Sequence, residues 1–166
     1  PRLLVLMGAG AQASVIETHV GIDAGAYFTN AVMETVLGPG ARLDHYTLQY
    51  EGKNSYHITT NQVVQARDSS YTSLVLDAGG ALVRHNINVL LQEEGASVSL
   101  HGLYLLNGAQ HVDYSTFIDH AVPHTSSKGL YKYSDNHYEQ IDSTDGLPFN
   151  SVNAIYEDSY GVLWLG

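Results

Sequence analysis

Polar and apolar residues alternate along short stretches throughout the first 120 residues of the chain. Across residues 81–91, for example, Val83, His85 and Ile87 fall on one side of an extended backbone and Arg84 falls on the other. Successive side chains of a β-strand point to opposite faces, so a period of two indicates strands with one face toward a core. This pattern predicts a chain built from many short strands.

Residues 27–37 form the one stretch whose pattern also fits a helix. Phe28, Val32 and Val36 keep the spacing of four that places apolar side chains on one helical face. The same stretch alternates at a period of two, and the repeated pattern around it favours strands. We therefore predict a strand here as well.

A Gly-Ala dipeptide opens most of these stretches, which makes the chain an internal repeat. Its glycines are separated by 15, 15, 40, 15 and 13 residues, namely Gly10, Gly25, Gly40, Gly80, Gly95 and Gly108. We expect one or two weaker copies within the long gap. Such spacing fits an antiparallel meander, a propeller or a parallel β-helix. Because the turns are mostly Gly-Gly, Gly-Pro-Gly and Glu-Gly rather than two-residue hairpin turns, we favour stacked parallel rungs.

The composition narrows the chemistry available to this all-β chain. Its 166 residues include no cysteine, which excludes disulfides, thiolate metal ligands and a thiol nucleophile. With 7 basic and 17 acidic residues the net charge is −10, which argues against a basic surface for nucleic acid. Apolar runs such as residues 3–7 are much shorter than the ~20 residues of a membrane span. We therefore predict neither a nucleic-acid nor a membrane partner.

The Gly-Ala repeat stops well before the last residue, and the remainder has a different character. A polar, turn-rich stretch over 134–150 precedes two strand candidates, 152–157 and 162–165, with a polar turn between them. Two short strands joined by a polar turn indicate a β-hairpin cut short. We therefore predict two parts, a β-helix fragment over 1–128 and a hairpin tail over 129–166.

Three long motifs in the first part carry a family likeness. They are GAGAQASVIETHVG from residue 8, YFTNAVMETVLGPGARLDHYTLQ from residue 27, and GGALVRHNINVLLQEEGASVSLHGLYLLNGAQHVDYSTFIDHAVPHTSS from residue 79. Together they resemble the SufB/SufD family of iron–sulfur cluster assembly proteins, closer to the SufD type, over roughly residues 1–132. The resemblance implies a truncated right-handed parallel β-helix, in agreement with the periodicity.

This resemblance also implies a function. The chain would be a non-catalytic scaffold subunit of the cytoplasmic SUF assembly complex, or a fragment of one. A SufB-like subunit and a SufC-like ATPase are the implied partners, although the C-terminal segment that holds the ATPase in the family has no counterpart here. The iron–sulfur cluster is implied only for the whole complex, with no cofactor bound by this chain alone. An exposed rung edge is expected to allow self-association.

The last residues resemble a second family. DGLP at 145–148 and LWLG at 163–166 are similar to the two-component-regulator propeller repeat. The tetrapeptide GLYK at 129–132 belongs to both likenesses, so the chain reads as a chimera of two families joined there. An alternative function is therefore a β-propeller-type sensor or ligand-binding fragment of a two-component regulator.

A third alternative is a carbohydrate-active β-helix enzyme, in which Glu17 and Glu34 would be the carboxylate pair. The two residues stand in the similar segments ETHV and ETVL, which favours a repeat as the reason for their recurrence. We therefore assign no catalytic residue and predict that the chain is not an enzyme.

The densest polar cluster comprises His111, Asp113, His120 and His124. Imidazole and carboxylate groups bind zinc and iron, so these four residues are candidate metal ligands. Their spacing matches no established metal motif such as HExxH. The alternative is a polar ladder along one face of the β-helix, with imidazoles hydrogen-bonded to carboxylates.

Arg84 and Asn86 are candidate partner-binding residues. Both fall on the polar face of their predicted strand, opposite Val83 and Ile87. A guanidinium on such a face can bind a carboxylate of a partner. The alternative is an ordinary solvated strand face.

Overall fold

The chain folds entirely into β-strands over the residues that the structure describes. This computed structural model describes residues 1–21, 25–128, 130–134, 137–141, 155–157 and 163–165. Within them no helix is long and apolar enough to span a bilayer. The strands are β1 (Arg2–Met7), β2 (Gln12–Val20), β3 (Phe28–Leu37), β4 (Arg42–Tyr50), β5 (Tyr56–Gln65), β6 (Ser70–Asp77), β7 (Leu82–Leu91), β8 (Ser97–Tyr104), β9 (His111–His120), β10 (Ser126–Lys128), β11 (Leu130–Ser134), β12 (His137–Ile141), β13 (Ile155–Glu157) and β14 (Leu163–Leu165).

The first ten strands alternate between two parallel sheets. Sheet A has the order β1-β3-β5-β7-β9, and sheet B has the order β10-β8-β6-β4-β2. Each strand therefore pairs in parallel with the strand two places along the chain, and one strand of each sheet makes a rung. The result is a β-solenoid, which confirms the predicted all-β class and parallel β-helix. Its right-handed sense stays a prediction, favoured by the general hand of parallel crossovers.

The predicted alternation of faces is confirmed in the central strands. In β4 the buried positions are Leu43, His45, Thr47 and Gln49, and the residues between them are exposed. The register places Leu43 beside Tyr71 of β6 and His45 beside Ser73. The strand predicted over 27–37 is also present as β3. The weaker copies expected between Gly40 and Gly80 are β5 and β6.

The interior of the solenoid is divided into an apolar and a polar half. We term the connections from sheet A to sheet B corner 1, and those from sheet B to sheet A corner 2. Next to corner 1 lies the apolar cluster, which includes Met7, Leu37, Leu43, Leu91 and Val98. Next to corner 2 the buried residues are mostly polar, as described below.

Corner 1 has the same backbone conformation in every rung. One residue of each corner has a positive φ, and these residues are Gly10, Gly40, Asp68, Gly95 and His124. The corners also hydrogen-bond to one another, since the Gly40 N–H donates to the Arg67 carbonyl over 2.8 Å. Glycine adopts positive φ without the steric penalty of a Cβ atom, which explains the Gly-Ala dipeptides at Gly10, Gly40 and Gly95.

The described parts of the tail are two antiparallel pairs. β11 pairs with β12, and β13 pairs with β14. The second pair agrees with the predicted hairpin strands, although β12 contradicts the expectation of an irregular stretch over 134–150. The DGLP motif, the turn before β14 and the junction residue 129 lie outside the described residues.

Replacing Gly40 with alanine tests the corner geometry. Its φ is 67° and an added Cβ would meet no atom within 4 Å, so only backbone strain should oppose the substitution. We expect Gly40→Ala to lower the free energy of unfolding by about 1–2 kcal/mol in urea titrations. The control is Gly8→Ala, because Gly8 has equally open surroundings but no positive φ. Equal effects of the two substitutions would contradict this account of the corner.

Candidate functional site

Ionisable side chains fill the polar half of the solenoid and are shielded from water. The exposed fraction is 0% for His45, His57 and Asp77, 1% for His85 and 7% for Glu51. Burying a charged or polar group is costly unless it is hydrogen-bonded. These residues are therefore expected to satisfy one another, and three imidazole–carboxylate pairs do so.

The first pair joins β2 to β4. Nε2 of His45 lies 2.8 Å from Oε2 of Glu17, and Nδ1 lies 2.9 Å from the Tyr71 hydroxyl on β6. A carboxylate only accepts, so Nε2 carries the hydrogen and Nδ1 accepts from Tyr71. The hydrogen bond from His45 lowers the pKa of Glu17 against an opposing effect of burial. Glu17 is therefore held as a carboxylate.

The second pair joins corner 2 to β5. Nδ1 of His57 donates to Oε2 of Glu51 over 2.6 Å, and Gln49 donates to the same oxygen over 3.2 Å. The other oxygen of Glu51 accepts from the Thr29 hydroxyl over 2.6 Å. This carboxylate therefore connects both sheets within one corner.

The third pair joins β6 to β7. Nε2 of His85 donates to Oδ1 of Asp77 over 2.9 Å, and Nδ1 accepts from the Thr59 hydroxyl over 2.6 Å. The Tyr114 hydroxyl of β9 donates to the second oxygen of Asp77. Burial and the neighbouring Asp77 charge raise the pKa of Tyr114. Asp77 thus accepts from two neighbouring strands of sheet A.

Four aromatic rings lie next to one another in the interior, and two of them, His57 and His85, belong to the second and third pairs. The ring centroids of His19 and His57 are 4.7 Å apart, those of His57 and His85 are 5.7 Å apart, and those of His85 and Tyr114 are 5.1 Å apart. We term these four residues the imidazole column. If every imidazole of the column carried a second proton, the adjacent positive charges would repel one another. Full protonation of the column is therefore unfavourable.

His57 lies in the middle of the column and is poorly able to accept a second proton. Its Nε2 is buried and has no hydrogen-bond partner. Desolvation lowers the pKa of His57, with further lowering from His19 and His85, although the Glu51 carboxylate opposes these effects. His57 is therefore neutral at physiological pH, with its one hydrogen directed at Glu51.

The column approaches solvent at the first rung. β1 pairs with β3 only from Val32 onward, so the beginning of β3 has no β1 partner. A small cleft lies here, lined by Glu17, His19, Ala31, Val32, Met33, Thr47, Thr59 and Asn61. A proton or a water molecule could reach the column through this cleft, whereas a larger substrate would find no room.

The four candidate metal ligands of β9 and its following corner lie in different settings. His111 and Asp113 point outward from sheet A, whereas His120 bonds to the Thr125 hydroxyl over 2.6 Å. His124 occupies the positive-φ position of corner 1, with φ of 59°. Over the part of the chain that the structure describes, no three His, Asp or Glu side chains are grouped to hold one metal ion. The structure therefore gives these four residues no common site.

Arg84, Asn86 and Asp113 form a polar ladder on the outer face of sheet A. Arg84 lies 2.5 Å from the Asp113 carboxylate and donates to Asn86 over 3.0 Å. Asn86 in turn donates to the Thr59 carbonyl over 3.3 Å. The ladder agrees with the solvated-face alternative, and a partner-binding role for Arg84 and Asn86 stays a prediction.

The two glutamates considered for carbohydrate chemistry are not brought together. Glu17 points into the solenoid from sheet B and bonds to His45, whereas Glu34 points outward from sheet A and pairs with Arg2 over 2.6 Å. Glycosidic hydrolysis needs two carboxylates on either side of one bond. These two cannot fulfil that role.

Sequence reasoning missed the partners of the buried imidazoles. The alternation over 81–91 already placed His85 on one face with Val83 and Ile87, but no local pattern pointed to Glu51 or Asp77. Glu51 lies in a corner and Asp77 at the end of β6, and each bonds to an imidazole on the other sheet. A histidine at a core position in several successive repeats is the signal that could have indicated such partners.

The neutral state of His57 predicts how stability depends on pH. The unfolded chain binds this proton near the ordinary value of 6.5, whereas the folded chain binds it only at lower pH. Protons therefore favour the unfolded state, and the free energy of unfolding should fall as pH drops below 6.5. Urea titrations between pH 8 and about pH 5 measure this slope.

His57→Gln should flatten that slope because it removes the proton-binding group. The control is His111→Gln, which removes an exposed imidazole from the outer face of sheet A. The same slope in His57→Gln as in the parent chain would show that another group is responsible.

Removing Asp77 should lower the free energy of unfolding much more than removing a surface carboxylate. Asp77→Ala leaves His85 and Tyr114 without their shared acceptor in the interior, and we expect the free energy of unfolding to fall by about 3 kcal/mol or more. Asp113→Ala breaks the outer-face pair with Arg84 and should cost less than about 1 kcal/mol. Chemical denaturation of both variants checks the difference, and similar losses would contradict the stabilising role given to the interior pairs.

Comparisons with known proteins match both parts of the chain to families. Residues 1–134 match the family model for the SUF system FeS cluster assembly SufBD core domain. Residues 146–166 match the two component regulator propeller model. Both resemblances seen in the sequence are therefore confirmed.

Several curated proteins are similar to the first part of the chain. An iron-sulfur cluster assembly SufBD family protein of Synechocystis is 31% identical over 84% of this chain and 33% of its own length. The chloroplastic protein ABCI7 of Arabidopsis thaliana is 33% identical over 80% of this chain and 28% of its own length. SufD of Escherichia coli is 29% identical over 76% of this chain and 30% of its own length. The chain thus spans about a third of the length of these relatives. No solved structure matches it.

The family match covers the whole two-sheet solenoid, including every residue of the imidazole column and the three carboxylates that bond to buried imidazoles. The propeller match covers only the last 21 residues, where the structure describes β13 and β14. The fold and the family match therefore coincide over the same residues. The chain belongs to the SufBD core domain family of the SUF system for iron–sulfur cluster assembly.

Proposed function

We propose that this chain is part of a SufD-type scaffold subunit of the SUF complex and has no catalytic activity of its own. The observation that carries the proposal is the coincidence of the SufBD core match over 1–134 with a closed stack of parallel strands. A stack of this kind presents extended, regular outer faces on which other subunits can assemble.

The chemistry of the interior supports a scaffold rather than an enzyme. Each carboxylate of the polar half already accepts a hydrogen bond from an imidazole, as seen for Glu17, Glu51 and Asp77. Reactive groups need room for a substrate and free hydrogen-bonding capacity. The buried pairs leave no room for a substrate, so we assign them a structural role, in which Glu51 and Asp77 join the two sheets and Glu17 joins two strands of sheet B.

The partners proposed for the chain are a SufB-like subunit and a SufC-like ATPase, in the cytoplasm. The nascent iron–sulfur cluster is the product of the whole complex, and we assign no ligand for it to this chain. Because the chain spans about a third of its relatives, it would contribute the β-solenoid portion of such a subunit.

The polar ladder of sheet A is the surface that we assign to the SufB-like partner. Arg84, Asn86 and Asp113 lie side by side on it, with Arg84 about half exposed. A guanidinium held in place by two neighbours can bind a further carboxylate at little additional entropic cost.

A sensor or ligand-binding role is the second candidate. It is favoured by the propeller match at 146–166 and by the antiparallel pairing of β13 with β14, which is the pairing found within a propeller blade. A carbohydrate-active enzyme is not supported, since Glu17 and Glu34 face away from each other.

Capture by a SufB–SufC pair tests the proposed function. The affinity-tagged pair should retain this chain during co-purification, with a full-length SufD protein as the positive control. Failure to retain the chain under conditions that retain full-length SufD would contradict the proposal.

Two charge reversals locate the contact. Arg84→Glu on sheet A should weaken capture at least about tenfold, because it places a carboxylate beside Asp113. Arg42→Glu makes the same change on the exposed outer face of sheet B and should leave capture intact. If Arg42→Glu weakens capture more than Arg84→Glu does, the partner contacts sheet B and not sheet A.

A further inference from the structure

The corner that joins β8 to β9 contains an asparagine followed directly by a glycine. These residues are Asn107 and Gly108, and both are exposed to solvent. Every other asparagine of the chain is followed by a residue that has a side chain. Asparagine is a thermolabile residue, because the backbone nitrogen of the next residue can attack its carboxamide carbon. A glycine in the next position leaves this nitrogen unhindered, since glycine has no Cβ atom.

The reacting groups of this dipeptide are free. Over the residues that the structure describes, the Gly108 N–H donates no hydrogen bond and the Asn107 carboxamide has no partner. Gly108 has a φ of 73°, and a Cβ atom built on it would meet nothing within 4 Å. The attacking nitrogen is therefore not held in a hydrogen bond, and its surroundings leave room for a five-membered ring to form.

The preceding corner 2 shows that this freedom is not shared by every corner glycine. Gly80 has nearly the same φ, 76°, but its N–H donates to the Glu51 carbonyl over 3.2 Å. A Cβ atom built on Gly80 would lie 2.7 Å from the Val83 side chain. Corner 2 is therefore packed against its neighbours at Gly80 and open at Gly108.

We propose that Asn107 is a site of spontaneous deamidation in the folded chain. The Gly108 nitrogen loses its proton and forms a bond to Cγ of Asn107, and the bond from Cγ to Nδ2 breaks with release of ammonia. Water then hydrolyses one of the two carbon–nitrogen bonds of the resulting succinimide ring, which leaves aspartate or isoaspartate at position 107. The net reaction exchanges an amide for a carboxylate, consumes water, releases ammonia and needs neither an oxidant nor an enzyme.

The isoaspartate product changes the turn that precedes β9. Its main chain runs through Cβ and Cγ, so the turn becomes longer by a methylene group. In the unmodified chain the Asn107 N–H donates to Oε1 of Gln110 over 2.9 Å, and Nε2 of Gln110 donates to the Gly80 carbonyl over 2.7 Å. The longer turn displaces Asn107 relative to Gln110, which ties this corner to the preceding one. The start of the edge strand β9 should therefore become looser.

Incubation of the full chain in neutral and mildly alkaline buffers, followed by peptide mapping with mass spectrometry, tests the proposal. Asn107 should be converted at least about tenfold faster than any other asparagine, because only its neighbour lacks a Cβ atom. Conversion should be faster at the higher pH, since the nitrogen reacts after losing its proton. The product carries an additional negative charge, so it should elute later from an anion exchanger than the parent chain. These outcomes do not depend on the proposed function.

Two variants separate the local chemistry from the effect of the fold. Gly108→Ala adds a Cβ atom beside the attacking nitrogen and should slow the conversion of Asn107 at least about tenfold. Ala31→Gly places a glycine after Asn30, which lies in the paired segment of β3 and β5. Asn30 should stay intact in folded Ala31→Gly, because the strand pairing holds its backbone. It should be converted in the same variant unfolded in urea, which shows that the new dipeptide is reactive.

Hydrogen exchange of the separated isoaspartyl chain measures the effect on the last rung. Amides at the start of β9 should exchange at least about tenfold faster than in the parent chain, whereas those of the central strand β5 should be unchanged. Unchanged exchange in β9 would contradict the loosening of this strand.

The parent chain alone is enough to overturn the proposal. An intact Asn107 after incubation of the folded chain would do so, as would conversion of Asn107 no faster than that of the other asparagines. Far-UV circular dichroism verifies that both variants keep the fold. If Asn30 in folded Ala31→Gly is converted as fast as Asn107, the free N–H of Gly108 is not what makes Asn107 reactive.

Discussion

The in-register stacking of parallel strands is the constraint on which the rest of the molecule depends. Each strand lies about 4.8 Å from its neighbour, so equivalent side chains of successive rungs must contact one another. An inward polar residue therefore needs a partner on its own rung or the next. His57 and His85 show the result, because their ring centroids lie 5.7 Å apart and each imidazole bonds to a carboxylate next to corner 2.

This constraint explains why the interior is divided. Apolar side chains collect next to corner 1, where one residue of each turn has a positive φ and Gln65 is the main buried polar side chain, bonded to Ser69 and Ser97. The buried carboxylates lie next to corner 2, where Asp77 ends β6 and Glu51 follows the last residue of β4. From these positions they bond to His85 and His57 on sheet A. The polar half thereby joins the sheets by hydrogen bonds, and the proton affinity of His57 makes their stability dependent on pH.

The outer face of each sheet is a set of rows, because the register aligns the outward side chains of successive strands. The polar ladder of sheet A lies across two such rows, and it is the surface that we propose for a partner subunit. A scaffold gains from such rows because a contact made at one rung is continued at the next.

The sequence by itself determined the strands, the residues that face inward and the turns between them. Alternation is a local property, so the spacing of Val83, His85 and Ile87 along the chain was enough to place them on one face of a strand. Only the tertiary structure decided which residues become neighbours. Glu51 with His57, and Asp77 with His85, meet across the two sheets, and Glu17 and Glu34 face opposite ways although their segments look alike. The physical reason is that these contacts depend on how the chain turns at corner 2, which joins residues six or eight positions apart, and on its winding through a whole rung, which joins residues 28 positions apart such as Glu17 and His45.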